Sequence, residues 1–303
     1  MMKNNYLSRL ESFKECLDQE EISMKELKKL CFHGGCPDEK AIRSRCWKYL
    51  LDYLGPKKSE HQAYLKKKRG LYYDYLHTFL TEAVPSGDAT EVIDHPLNPG
   101  NNSQWKTYFS DNEVLMQIDR DCRRIAPDLG FFQMCTDQRN LKYTQLLRLR
   151  IQNAQLSSET VVRDRMGLST LNKKAQRSSS LTDSDEVNWE VVERILFVFY
   201  KLNPGQGYVQ GMNEVLGPLF YVFANDPEMD WREHAEEDAF YCFTNLMGEI
   251  RDCFIRSLDE SESGIRGQMA NFTELLRSVD VHIFTILEEQ RIQPQYFAFR
   301  WLR

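Results

Sequence analysis

Apolar residues recur along this chain at intervals of three and four, the spacing of one face of an α-helix. No stretch shows the sustained period of two that marks a half-buried strand. Tyr6, Leu7, Leu10, Phe13 and Leu17 follow the helical spacing amid Glu and Lys, so residues 1–31 read as one N-terminal helix. Gly34-Gly35-Cys36-Pro37-Asp38-Glu39 interrupts it, with the proline suited to an early position of a new helix. Ile42, Cys46, Leu50, Leu51 and Leu54 form the next stripe, closed by Gly55-Pro56. A helix with the basic run Lys66-Lys67-Lys68-Arg69 then carries to about Val84, the run reading as a solvated face. Clusters of Pro, Gly, Asn and Asp over residues 85–107 predict a long loop.

Helical periodicity returns from Asp111 to Ile125. At about 100° per residue, Val114, Leu115, Ile118, Cys122 and Ile125 fall within an arc of about 100°. Arg120, Arg123 and Arg124 all point away from that arc, so the wheel does not choose among them. Asp121 lies at the edge of the arc, three residues before Arg124, a spacing at which helical side chains are neighbours. Residues 157–187 change character: ten of the thirty-one are Ser or Thr and none is aromatic, which predicts a disordered insertion. Within it, Arg177-Ser-Ser-Ser-Leu-Thr182-Asp-Ser-Asp-Glu186 sets hydroxyls beside basic and acidic residues, a pattern suited to phosphorylation.

Asn188 then serves as an N-cap, and Trp189, Val192, Ile195, Leu196, Phe199 and Leu202 make a helix apolar over much of its surface. Asn203-Pro204-Gly205-Gln206-Gly207 stops it, a helix follows over Met212–Ala224, and two more fill Glu237–Ile255 and Gly264–Arg291. The fold class is all-α.

Composition narrows the function. The chain has 303 residues, 42% hydrophobic and 12% aromatic, enough for a large core. Its formal net charge of −6 offers no basic footprint for nucleic acid. The longest apolar run, Val215–Ala224, contains Gly217 and Pro218 and is half the length of roughly 20 residues that a membrane span needs. Eight cysteines without a repeated spacing, behind an opening segment too charged for a secretory signal, predict reduced thiols in the cytosol. Cys31-Phe-His33-Gly-Gly-Cys36 supplies three possible metal ligands but lacks the second ligand pair usual in a structural zinc site. It reads as two buried thiols and a loop histidine, with no metal.

The chemistry lies in two segments, Ile118-Asp-Arg-Asp-Cys-Arg-Arg124 and Tyr208-Val-Gln-Gly-Met212. One offers a guanidinium, which can neutralise charge on a transferring phosphoryl group. The other offers an amide, which can hold an attacking water in line. The sequence carries no phosphate-binding loop motif, so the nucleotide is expected to arrive on a partner.

Four motifs in order resemble the TBC (Tre/Bub/Cdc) domain, the family of GTPase-activating proteins for Rab-type small GTPases. They are Gly35-x-Pro37 with Arg43-x-x-x-Trp47-x-x-Leu50-Leu51; Ile118-x-x-Asp121-x-x-Arg124 followed by Pro127; Tyr208-x-Gln210-Gly211-Met212-Asn213; and Phe297-Ala298-x-Arg300-Trp301. The resemblance implies a multi-helix domain over residues 32–303. It implies Arg124 and Gln210 as an arginine and a glutamine finger supplied in trans, supported by Asp121, Tyr208, Gly211 and Asn213. It further implies a GTP-bound Rab partner that brings its own Mg²⁺ and GTP, with no cofactor of this chain and no self-contained catalytic site. Regulation of vesicle traffic follows, from a cytoplasmic protein recruited peripherally to membranes through the Rab. Family members continue with further helices, whereas Tyr296–Arg303 is apolar with no terminating residue, so a C-terminally shortened domain is expected. That expectation carries an alternative function, a non-catalytic Rab-binding module or interfering variant.

Overall fold

The computed structural model describes residues 2–37, 39–81, 104–137, 140–166, 185–254 and 264–298. The helices are α1 Met2–Asp18, α2 Met24–Phe32, α3 Lys40–Leu50, α4 His61–Leu80, α5 Gln104–Cys122, α6 Leu141–Met166, α7 Asn188–Leu202, α8 Met212–Ala224, α9 Met229–Arg232, α10 Ala235–Ile250, α11 Ile265–Val279 and α12 Val281–Glu289. Among the described residues the only strand-like pairings are two isolated bridges, Glu21 with Lys57 and Cys135 with Val187. The all-α expectation therefore holds. Among the same residues no helix is long and apolar enough to cross a membrane.

The chain divides into a first unit over Met1–Phe243 and a second over Thr244–Arg303. α7 is the axis of the first. Val192, Ile195, Leu196, Phe197, Val198 and Phe199 are all buried, and the helix packs on α5, α6 and α8. Charge is buried with it. Arg194 is fully enclosed and donates to Glu236 through Nε and Nη2, each at 2.6 Å. Its Nη1 reaches Glu186 at 2.5 Å and Thr144 at 2.6 Å. Tyr72 and Asn140 satisfy the same glutamate at 2.8 Å each. Nearby, Asp238 collects a fork from Arg69 at 3.0 Å, the Tyr53 hydroxyl at 2.7 Å and Lys48 at 3.2 Å. Buried charges persist when paired and hydrogen-bonded in this way. In the second unit α11 and α12 pack on each other, and Phe272 meets Phe297 edge-on at 5.9 Å between ring centroids.

Several predicted elements shift. The single N-terminal helix is two, because Ser23 caps a fresh start by accepting from Glu26 N. The link before it is pinned by Ile22 N to the Pro56 carbonyl and Lys58 N to the Glu20 carbonyl. Pro37 precedes α3 and is outside it. The basic run on α4 is not simply solvated: Arg69 serves Asp238, and Lys68 lies over the Tyr64 and Tyr241 rings. α5 begins at Gln104, inside the predicted loop, whose residues 85–103 lie outside the described residues. α6 was not anticipated, and it runs through Met166 into the predicted insertion. At the other edge of that insertion Glu186 is a buried acceptor for Arg194. Residues 167–184, which hold all of the phosphorylation pattern at 177–186 except Asp185 and Glu186, lie outside the described residues, as do 299–303. Val187, not Asn188, caps α7: its N–H donates to the Glu190 carboxylate at 3.0 Å, while the Asn188 amide donates to the Phe131 carbonyl. The helix predicted over 264–291 is split at Asp280, whose carboxylate caps α12 through Ile283 N at 3.0 Å.

Candidate functional site

α5 stops one turn earlier than its apolar stripe. Arg123 N still reaches four residues back, to the Asp119 carbonyl at 3.1 Å. Arg124 N and Ile125 N reach only three back, to Asp121 and Cys122 at 3.2 Å each. Ala126 then takes a positive φ of 37° while Ile125 turns into the core. Arg124 is thus on the turn just past the helix, not on the helix itself. Its side chain folds back, Nε donating to the Arg120 carbonyl at 3.0 Å and Nη2 to Asp121 Oδ1 at 2.9 Å, yet 70% of it remains exposed.

The structure separates the three arginines that the helical wheel left equivalent. Arg123 gives its Nε to both oxygens of Asp119 at 2.9 Å and lies 4.4 Å from the Trp189 ring centroid. Burial works against its charge, but the Asp119 bonds and charge more than offset this and raise its pKa. Arg123 is committed to holding α5 on α7. Arg120 is exposed. Beneath them Glu193 is fully enclosed. Burial, with Asp119 and Glu190 adding, pushes its pKa well above the carboxylate range, and among the described residues its Oε1 has no partner.

Asp121 joins the two motifs. The carboxylate that holds Arg124 also accepts from the Tyr208 hydroxyl at 3.0 Å, and the Asp121 carbonyl accepts from Asn213 Nδ2 at 3.1 Å. Burial, then the neighbouring Cys122 and Asp121, raise the pKa of Tyr208, so it stays a neutral donor. The segment between Tyr208 and Asn213 is a tight turn. Gly207 has φ 70° and Gly211, the N-cap of α8, has φ 103°, a left-handed conformation that glycine adopts without steric cost. Gln210, just before Gly211, is exposed, and among the described residues no hydrogen bond holds its amide. Gly217 lets α8 approach the arginine turn closely: a Cβ there would stand 2.7 Å from Ile125 Cδ1.

All six predicted site residues therefore fall at the end of α5, at the start of α8 and on the turns beside them. Asp121, Tyr208 and Asn213 form the frame, Gly211 shapes it, and Arg124 and Gln210 stand out from it. Asp119, Trp189 and Glu193, which surround the Arg123 guanidinium, were not named as site residues from the sequence. The four-residue spacing of Asp119 and Arg123 was the available signal. In the opening motif, Trp47 remains partly exposed.

The Rab-GTPase-TBC domain model matches residues 131–303, beginning just beyond Arg124. The chain is similar to human TBC1 domain family member 13, at 45% identity across 99% of this chain and 80% of that protein. A TBC domain-containing protein of Schizosaccharomyces pombe is 33% identical across 98% of this chain and 58% of its own length. The fold resembles the crystal structure of the Ypt/Rab-GAP domain of Gyp1p, with a TM-score of 0.61 at 21% identity, covering 98% of this chain and 73% of that one. The chain belongs to the Rab-GTPase-TBC domain family.

Proposed function

We propose that Arg124 and Gln210 are the two groups this protein inserts into the nucleotide site of a GTP-bound Rab-type GTPase. As a member of the Rab-GTPase-TBC family the protein is a GTPase activator acting in vesicle traffic. The single observation carrying the residue assignment is the shared carboxylate of Asp121, which anchors both turns while leaving Arg124 and Gln210 exposed. Arg124 leaves Asp121 to place its fork against the charge that develops between the β- and γ-phosphates. Gln210 gives one amide proton and one carbonyl lone pair to the attacking water and holds it in line. The partner supplies GTP and Mg²⁺, and this chain supplies no cofactor and no complete active site. Recruitment to membranes runs through the Rab. A purely binding role is not favoured, since it gives the exposed Arg124 and Gln210 no task.

Single-turnover GTP hydrolysis across a panel of GTP-loaded Rab proteins tests this. One or more Rabs is accelerated, and Arg124→Ala loses the acceleration by about 10³–10⁵-fold, or about 4–7 kcal/mol of barrier. Equal acceleration by the wild type and the variant would overturn the assignment.

A further inference from the structure

Away from the fingers, three thiols from different segments meet near the start of the chain. Cys31 is in the last turn of α2, Cys36 follows the Gly34-Gly35 turn, and Cys46 is in the middle of α3. Their Sγ atoms all lie within 4.8 Å of one another, with Cys31 and Cys36 3.6 Å apart. Zinc–sulfur bonds of about 2.3 Å in a tetrahedral centre set sulfur–sulfur edges of about 3.8 Å, so each edge is within about 1 Å of that requirement.

We propose that Cys31, Cys36 and Cys46 form a three-thiolate site for a thiophilic divalent cation, Zn²⁺, with its fourth position open to water or an external ligand. The surroundings suit it. Gly34 and Gly35 have φ of 128° and 73°, and Gly35 N donates to the Cys31 carbonyl at 2.7 Å, which turns the chain sharply enough to bring Cys36 back to Cys31. Arg9 reaches over this turn to the Gly35 carbonyl, and a Cβ on Gly34 would meet Arg9 Nη1 at 2.8 Å. Arg43 lies three residues before Cys46 on α3. Three thiolates around Zn²⁺ carry a net charge of −1, and these two guanidinium groups supply the opposing charge. His33, read from the sequence as a loop histidine, is exposed with its ring edge-on to Phe32 and is not in the cluster. Cys31 and Cys36 are half-buried and not fully buried, which leaves them accessible to an entering ion. On binding, each protonated thiol releases its proton to solvent as its sulfur–metal bond forms, with no change of oxidation state.

The test is titration of the full chain, reduced and stripped of metal, with Co²⁺ and then Zn²⁺. The expected result is one equivalent of Co²⁺ giving the near-ultraviolet thiolate-to-cobalt charge-transfer band, bleached by one equivalent of Zn²⁺. Loss of an outer-shell partner alone costs about 10–100-fold in affinity, so Cys36→Ser is expected to weaken Co²⁺ binding by at least about 100-fold. Cys135→Ser, outside the cluster, leaves binding unchanged. Cys36 is used because it is not in the core, unlike Cys46, and far-ultraviolet circular dichroism verifies that the variant is folded. Absence of the band in the reduced, helical wild type would overturn the proposal. So would a band that survives Cys36→Ser. Formation of a Cys31–Cys36 disulfide with no metal uptake would also overturn it, in favour of a redox pair.

Discussion

The arginine turn after α5 and the charge cluster between α7 and α10 both hold a guanidinium against carboxylates, and they use it in opposite ways. Arg194 has no exposed surface and gives its donors to Glu186, Glu236 and Thr144. Arg124 is 70% exposed and gives one donor to a carboxylate and one to a backbone carbonyl. Taking away Arg194 leaves two buried carboxylates without their counter-charge. Taking away Arg124 leaves Asp121 still accepting from Tyr208, with its own backbone still held by Asn213. Depth and the number of anchors distinguish an arginine that maintains the fold from one that can be lent to a partner. Arg123, adjacent in sequence to Arg124, falls on the structural side of this division because it is forked on Asp119 and stacked on Trp189.

The comparison can be broken most directly by exchanging the losses. Arg124→Ala, which removes the guanidinium proposed to act on the nucleotide, is expected to change unfolding free energy by less than about 0.5 kcal/mol, as exposed substitutions do. Arg194→Met is expected to cost about 3–5 kcal/mol, the penalty for stranding buried partners of an ion pair. Equilibrium urea unfolding of both variants reads this difference, and comparable losses would erase the distinction between the two arginines.

A smaller effect sharpens the link between packing and the finger. Gly217→Ala drives a methyl toward Ile125 Cδ1, 2.7 Å away, and overpacking of this kind costs about 1–3 kcal/mol. Because Ile125 follows Arg124 directly, the variant is also expected to lower Rab GTPase acceleration while the protein remains folded. A variant that loses stability and keeps full acceleration would show the turn to be insensitive to what lies beneath it.

The smallest effect is a pH slope. Burial raises the folded-state pKa of Glu193 above its ordinary value of 4.5. Below that value both folded and unfolded chains are protonated, and this residue costs nothing. As pH rises above it the unfolded chain ionises first, so Glu193 withdraws stability progressively until the folded pKa is passed. Glu193→Gln removes this dependence. Its stability relative to the wild type is expected to improve from roughly pH 4 to pH 7, read from urea midpoints at each pH. A constant difference would show that Glu193 is not held protonated.

Much of this was legible in the sequence. Apolar spacing places α5, α7 and α8 because their faces meet the core directly, and Leu115, Ile118, Cys122 and Ile125 are indeed buried. The same spacing misplaces the end of α5, since Ile125 stays on the apolar arc whether the backbone continues as helix or tightens into a turn. α6 was missed because Arg148 and Arg150 interrupt its apolar face. Both are partnered in the interior, Arg148 with Glu190 at 2.7 Å and Arg150 with Asn112 at 2.6 Å. Three-dimensional pairing makes those charges compatible with burial, and a one-dimensional pattern does not register it. Cys46 was missed as a partner of Cys31 and Cys36 for a similar reason: its place on an apolar stripe explained it fully as core. The six site residues were named through the resemblance of their two motifs to the family, since helical spacing alone left Arg120, Arg123 and Arg124 equivalent. The Asp121 carboxylate that ties their turns together is a contact across 87 positions of sequence.

The most direct measurement is single-turnover GTP hydrolysis by a responsive Rab with Arg124→Lys, alongside the affinity of the variant for that Rab and its melting temperature. Lysine keeps the charge and loses the planar fork. The account predicts that binding and melting stay at wild-type values while acceleration falls to near the Rab's intrinsic rate. Full acceleration by Arg124→Lys would contradict it and would show that charge alone, or another residue, does the work assigned to the arginine.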